Sequence, residues 1–259
     1  MLLNQLDLIP EEVPIEAKPF FDERYIALRQ TLSLVSQPDL LQSPTSPQYQ
    51  TLDWLASKDE MKLSVDAPNL LQRYVLALVY FSTSGEQWHR DMNWLSDKHE
   101  CEWNGDGGVR SCDEDKQVTD LSLWNNLKGT IPNEIGKLSK LQVLYLARND
   151  LVGTLPTEIG LLTDLSYLGV HHNRLEGTVP GEYMSNMLKL RTMYVEKNDF
   201  VGTIERDGFL CQLKHDANPL GKAKRLDGVL HELTADCKTL VSWKQPEIAC
   251  NCCTKCYAA

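Results

Sequence analysis

The chain has 259 residues and a formal net charge of −10, from 26 Lys and Arg set against 36 Asp and Glu. That balance excludes a nucleic-acid reader, which presents a basic face, and leaves no attraction for an anionic membrane surface. The length suits one elongated domain with appendages.

Residues 1–21 are expected to be acidic and poorly ordered, with Glu11, Glu12 and Glu16 among them. The start is no secretion signal, because it lacks a basic segment and Asn4 and Asp7 interrupt its apolar run. No stretch is long enough to span a bilayer. Residues 22–66 read as two helices and a linker. Phe21, Tyr25, Leu28, Leu32 and Val35 fall on one helical face, which predicts a helix from Asp22 to Ser36. Pro38 to Pro47 is a linker. Ser46 and Pro47 then form a cap and first helical residue for a second helix, with Leu52, Trp54 and Leu55 on its apolar side.

Residues 67–116 open with Leu70, Leu71, Tyr74, Val75, Leu78 and Val79 at helical spacing, from about Ala67 to Ser82. Trp88, Trp94, the run Cys101-Glu102-Trp103-Asn104-Gly105 and then Cys112 follow. This arrangement resembles the N-terminal cap of plant-type leucine-rich repeat proteins. The resemblance implies a Cys101–Cys112 disulfide, which would contribute about 3 kcal/mol in the chain-entropy account. The stretches Ser46 to Ala56, Leu71 to Tyr74 and Tyr80 to Trp88 look like a group of leucine-rich repeat proteins abundant in diatoms. That likeness extends over residues 22–256 and implies an extracellular or membrane-anchored recognition protein. Gly105 to Gly108 lies between the two cysteines and reads as a turn, not a phosphate loop. Asp113-Glu114-Asp115 is a short acidic turn, with calcium as its sharper reading.

Residues 117–209 carry a repeat. Leu-x-x-Leu-x-Leu-x-x-Asn-x-Leu-x-Gly-x-Leu-Pro runs from Leu141 to Pro156, and Pro132, Pro156 and Pro180 lie 24 residues apart. Gly129, Gly153, Gly177 and Gly202 follow at spacings of 24, 24 and 25, and Asn149, Asn173 and Asn198 at 24 and 25. This period and apolar skeleton define a leucine-rich repeat, and such coils stack because one alone cannot bury its apolar side. The expected fold is an α/β solenoid: a short plant-type leucine-rich repeat domain with a helical N-terminal cap and a Cys-rich C-terminal cap. In each coil Leu144 and Leu146 point inward and Tyr145 outward. Asn149 satisfies backbone groups of the neighbouring coil, Gly153 allows the bend, and Ile159 and Leu162 close the convex side. The Leu-x-Gly-x-Ile/Leu/Val-Pro form resembles receptor-kinase ectodomains and polygalacturonase-inhibiting proteins, which implies a second short strand per coil.

Outward strand positions nominate a concave ligand-binding face: Asp120, Ser122 and Trp124, then Tyr145 and Arg148, then Tyr167, His171 and His172, then Tyr194, Glu196 and Lys197. Trp124, Tyr145, Tyr167 and Tyr194 form an aromatic stripe. It reads either as an interface of the residue types that dominate hot spots or as cross-strand packing. Alternation places His171 and His172 on opposite faces, which argues against a metal pair and leaves a pH-sensitive contact.

Residues 210–259 are expected to hold a degenerate last coil, with a strand near Leu230 to Asp236, an inserted basic loop and a Cys-rich cap. The loop, from Gln212 to Val229, contains Lys214, Lys222, Lys224 and Arg225, and is either a solvated loop or a contact for an acidic partner. Cys211, Cys237, Cys250, Cys252, Cys253 and Cys256 make an even set, for which fifteen pairings exist. Cys211–Cys237 is the preferred bridge, and a zinc site at the last four cysteines is the alternative to disulfides.

No nucleophile elbow, phosphate loop, kinase signature or metalloprotease helix is present. A carboxylate pair such as Asp120 and Glu196 would need a fortunate curvature to act on a glycan. The expectation is a non-enzymatic recognition module with no cofactor and no metal. Its partner is a protein, peptide or glycan, and any membrane contact runs through an anchor absent from this chain. The alternatives are an inhibitor of a secreted hydrolase and a structural or adhesive surface component. Cysteine usage favours an extracellular or lumenal setting, with a cytosolic protein of reduced thiols as the other reading.

Overall fold

The computed structural model describes residues 22–89, 93–104, 107–124, 126–204, 232–236, 248–250, 253 and 255–257. The acidic N-terminal stretch, the basic loop and the expected Cys211–Cys237 bridge lie outside these residues.

Helix α1 (Glu23–Leu32) starts where the Asp22 carboxylate accepts the Tyr25 amide at 2.7 Å, which satisfies one of the donors a helix start leaves open. It ends earlier than its apolar spacing predicts. The Ser33 hydroxyl turns back onto the Gln30 carbonyl, and Val35 closes a turn onto Leu32. Helix α2 (Pro47–Ser57) follows its sequence signal: Ser46 Oγ accepts the Tyr49 amide at 3.0 Å and Pro47 sits at the first position. Helix α3 (Leu70–Ser82) packs against α2 on one side and the first coil on the other, so almost all its side chains are buried. Its last turn pairs with that coil, since Lys128 and Thr130 donate their amides to the Thr83 and Ser82 carbonyls.

Buried within this helical layer is Arg73, which uses every donor it has. Its Nε and Nη2 donate to Asp59 at 2.9 and 2.6 Å, and its Nη1 donates to Glu100 at 2.9 Å. The carbonyls of Lys98 and Ser96 take the remaining two protons. The guanidinium lies between two rings, 5.2 Å from the Trp54 centroid and 4.8 Å from that of Trp103. A buried charge is tolerated only when it is paired and fully bonded, and this one is. Gln72 ties the layer to the repeats: its Nε2 donates to Glu100 and its Oε1 accepts the Val118 amide at 2.7 Å. The Cys101–Cys112 disulfide is present.

Strand β1 (Gly108–Cys112) runs antiparallel to β2 (Val118–Ser122). From β2 onward the sheet is parallel, through β4 (Val143–Tyr145), β6 (Tyr167–Gly169), β8 (Thr192–Tyr194) and β10 (Glu232–Asp236) to β12 (Lys255–Tyr257). A second sheet joins β3 (Lys128–Gly129), β5 (Asp150–Thr154), β7 (Arg174–Thr178), β9 (Asp199–Ile204) and β11 (Ile248–Cys250). Each coil thus contributes two short strands, followed by a 3₁₀ turn at Asn133–Lys137, Thr157–Leu161 or Gly181–Met184. The core fills the space between. Leu141, Leu144, Leu151, Ile159 and Leu162 of one coil are all fully buried, and Leu165, Leu168, Leu175 and Met184 continue the rows in the next. Burying each such side chain stabilises by roughly 2 kcal/mol.

The asparagines form the ladder their spacing predicts. Asn149 Oδ1 accepts the Leu127 amide at 3.0 Å and its Nδ2 donates to the Leu123 carbonyl at 2.9 Å. Asn173 serves Leu151 and Leu146 in the same way, and Asn198 serves Leu175 and Val170. The residue before each asparagine, namely Arg148, His172 or Lys197, takes a left-handed conformation with φ between 57° and 59°. That kink ends the strand and swings the side chain back over the concave face.

Candidate functional site

The face of the larger sheet is built from the outward positions of β1, β2, β4, β6 and β8 and from the left-handed residues that follow the strands. Trp124, Tyr145, Tyr167 and Tyr194 form one continuous aromatic ladder across it. Successive ring centroids are 5.8, 6.2 and 5.6 Å apart. The Trp124–Tyr145 and Tyr167–Tyr194 pairs meet edge to face, while Tyr145 and Tyr167 stack. Gly169 permits the stacking, because an added Cβ there would lie 2.9 Å from Tyr167 and 3.1 Å from Tyr145.

At the β1 end this face opens a cleft of ≈ 680 Å³ lined by Arg110, Asp120, Trp124, Tyr145, Arg148 and Tyr167, among others. The volume lies within the ordinary range for ligand sites. Arg110 is absent from the residues nominated by the repeat, because it belongs to the hairpin before the first coil. Its signal was alternation: Val109 is buried against the core, so its neighbour on β1 points outward. The guanidinium of Arg110 lies 5.6 Å from the Trp124 centroid.

Other nominated residues sit differently from expectation. Ser122 lines the cleft but is largely buried, and it donates its hydroxyl to Asp120 Oδ1 at 2.6 Å, which orients that carboxylate. Glu196 is also buried, and its Oε2 accepts the hydroxyl of Thr234 on β10. The neighbouring strand covers it, which removes it from the open face and from any carboxylate pair with Asp120. His171 and His172 do not point to opposite faces. The left-handed His172 turns its ring beside that of His171, with centroids 5.5 Å apart. His171 is wedged edge-on between Tyr145 and Tyr194, and its Nδ1 is buried with no hydrogen-bond partner. Among the described residues no group of His, Cys, Asp and Glu is arranged to hold a metal ion. Asp113 of the acidic turn accepts the Gln117 amide at 2.7 Å and closes its own loop. Cys253 is disulfide-bonded, so it is unavailable as a thiolate ligand for zinc.

The titrations follow from this packing. Burial pushes the Tyr167 phenol up to about 12, helped by Tyr145, Glu196 and Glu232 nearby. The Tyr194 phenol is raised first by donating to the Glu232 carboxylate at 2.6 Å. Burial lowers the His171 imidazole, with Glu196 opposing and His172 and Arg148 reinforcing the shift. At neutral pH Tyr167 and Tyr194 therefore present protonated phenols and His171 a neutral imidazole.

No helix of the described residues is long and apolar enough to cross a membrane. No curated protein matches the chain. Among solved structures it is similar to PEPR1–AtPEP1, at 24% identity over 52% of this chain and 19% of that one, with a TM-score of 0.44. It is also similar to the ectodomain of the receptor kinase SOBIR1 from Arabidopsis thaliana, at 26% identity over 52% and 69% of the two chains, with a TM-score of 0.38. The BIR3–SERK2 complex from the same plant gives 24% identity over 54% and 66%, with a TM-score of 0.41. The chain thus spans 19% of the length of the first of these. Residues 116–175 match the leucine rich repeat family model, and with the coil geometry above the fold is of the leucine-rich-repeat type.

Proposed function

We propose that the chain is a non-catalytic recognition module that holds a protein, peptide or glycan on the face formed by β1, β2, β4, β6 and β8. The observation that carries this reading is the half-exposed aromatic ladder opening into a cleft with two exposed guanidiniums. Aromatic and arginine side chains supply most of the binding energy at interfaces, and here they converge where backbone and core already fix their positions. In the same reading, residues 22–66 are pre-cap helices and a linker, residues 67–116 are the N-terminal cap, residues 117–209 are the recognition coils, and residues 210–259 are a degenerate last coil with a Cys-rich cap. The disulfides favour an oxidising, extracellular setting.

The test is a pull-down from native extracellular extract with the oxidised protein, beside a Tyr145→Ala/Tyr167→Ala/Tyr194→Ala variant whose fold is checked by circular dichroism. A partner held by the wild type and lost by the variant supports the face. A partner held equally by both sinks it.

A further inference from the structure

We infer that the cleft at the β1 end takes an acidic peptide segment, its carboxylates held between Arg110 and Arg148. This rests on the recognition reading above and specifies the ligand for the open cleft at the β1 end of that face.

Two cations stand there against one anion. Arg148 and Arg110 are exposed, and neither guanidinium has an ion-pair or hydrogen-bond partner among the described residues. The one carboxylate lining the cleft, Asp120, is already engaged by Ser122. In a chain of net charge −10, two unpaired guanidiniums lining one concavity run against the general surface. Arginine in this setting matches a carboxylate through two parallel bonds. At the opposite end the face carries anions, and they are occupied: Glu232 by the Tyr194 hydroxyl, Glu196 by Thr234. Among the described residues the available charge on the face is therefore cationic, with Arg110 and Arg148 together in the β1-end cleft and Lys197 exposed singly beyond β8.

Ring geometry favours a peptide over a sugar. Sugar rings stack on free aromatic faces, but these faces are largely spent on one another. Arg110 lies over Trp124, Tyr145 and Tyr167 stack with 29° between planes, and His171 sits edge-on to Tyr145 and Tyr194. The two exposed guanidiniums that line the cleft add N–H donors, which suit carboxylates and amide carbonyls.

The experiment uses the full oxidised chain and three probes. These are a fluorescein-labelled peptide of alternating glutamate and glycine, its lysine counterpart, and a labelled oligogalacturonate. Anisotropy is read at low and physiological salt for wild type, Arg110→Glu, Arg148→Glu and Arg148→Lys. The glutamate peptide is expected to bind and the lysine peptide not to bind. Each charge reversal should weaken binding about tenfold or more, which corresponds to about 1.4 kcal/mol, with Arg148→Lys between. Both side chains are exposed, so melting temperatures should stay at the wild-type value. Absent binding of the glutamate peptide, or binding indifferent to both reversals, overturns the inference. Oligogalacturonate bound in preference and lost in the same variants overturns the peptide assignment. A natural partner lost by the tyrosine variant but kept by both reversals removes the acidic ligand and leaves the recognition face standing.

Discussion

Arg73 grips Asp59 through two parallel bonds, Nε to Oδ2 at 2.9 Å and Nη2 to Oδ1 at 2.6 Å, with both side chains fully buried. The same guanidinium reaches Glu100 and lies between Trp54 and Trp103. One side chain therefore joins the loop after α2, helix α3 and the segment carrying Cys101. Removing it would strand two carboxylates in the interior. Arg73→Ala is expected to cost about 3–5 kcal/mol. Arg73→Lys should recover little, because an ammonium cannot reproduce the fork or the stacking. Urea titration of the oxidised protein reads both, and a lysine variant as stable as wild type would show that charge alone suffices.

Asn173 is the most enclosed rung of the asparagine ladder. It accepts the Leu151 amide at 3.1 Å and donates to the Leu146 and Val170 carbonyls, each at 2.9 Å. Asn173→Ala leaves these backbone groups unpaired away from water, which should destabilise by about 3 kcal/mol. Asn149, half-buried rather than buried, should cost less when truncated, since water can reach its partners. Asn173→Asp keeps the acceptor and loses both donors, so it should be no milder than alanine. Equal costs at positions 149 and 173 would contradict the role given to burial.

What was legible in the chain was whatever one coil decides locally. Ser46 and Pro47 start α2 because their chemistry is that of a helix start, and the Asn and Gly beats set the rungs and bends. What was not legible depends on a distant strand. Glu196 alternates as an outward residue, yet Thr234, 38 positions away, covers it. Arg110 lies outside the repeat, and only pairing of β1 with β2 brings it beside Trp124. His172 breaks the expected alternation because the backbone has already turned left-handed there. The buried pairing of Arg73 likewise draws on segments separated by the whole helical layer.

Glycines in the 3₁₀ turns carry a constraint that the bends at Gly153, Gly177 and Gly202 do not. At Gly153, φ is +75° and an added Cβ would meet only the Thr130 methyl at 3.1 Å. At Gly160 the same atom would lie 1.9 Å from the backbone carbonyl of Tyr183 in the next coil, and at Gly136 it would lie 2.3 Å from that of Glu158. A methyl side chain can move aside, but a stacked backbone cannot. Gly160→Ala should therefore cost about 2–3 kcal/mol through overpacking, whereas Gly153→Ala should cost about 1 kcal/mol from its backbone conformation. Thermal unfolding of the two variants checks the order, and a Gly160→Ala protein with wild-type stability would mean that the coils separate without cost.

His171 gives the ladder a pH dependence of defined sign. Its imidazole sits among Tyr145, Tyr194, His172, Glu196 and Arg148, and burial lowers its pKa from the ordinary 6.5. The unfolded chain then binds the proton more readily than the folded one. Folding stability is accordingly complete above pH 6.5 and declines as pH falls toward and through the lowered folded value. His171→Gln has no proton to take up, so its melting temperature should fall less than that of wild type between pH 8 and pH 5. The difference between the two curves isolates the histidine from the carboxylates, which titrate in both proteins. If the curves run parallel, Glu196 offsets the burial of the imidazolium. If wild type loses less than the variant on acidification, the sign is reversed and the charged imidazole is the form the ladder prefers.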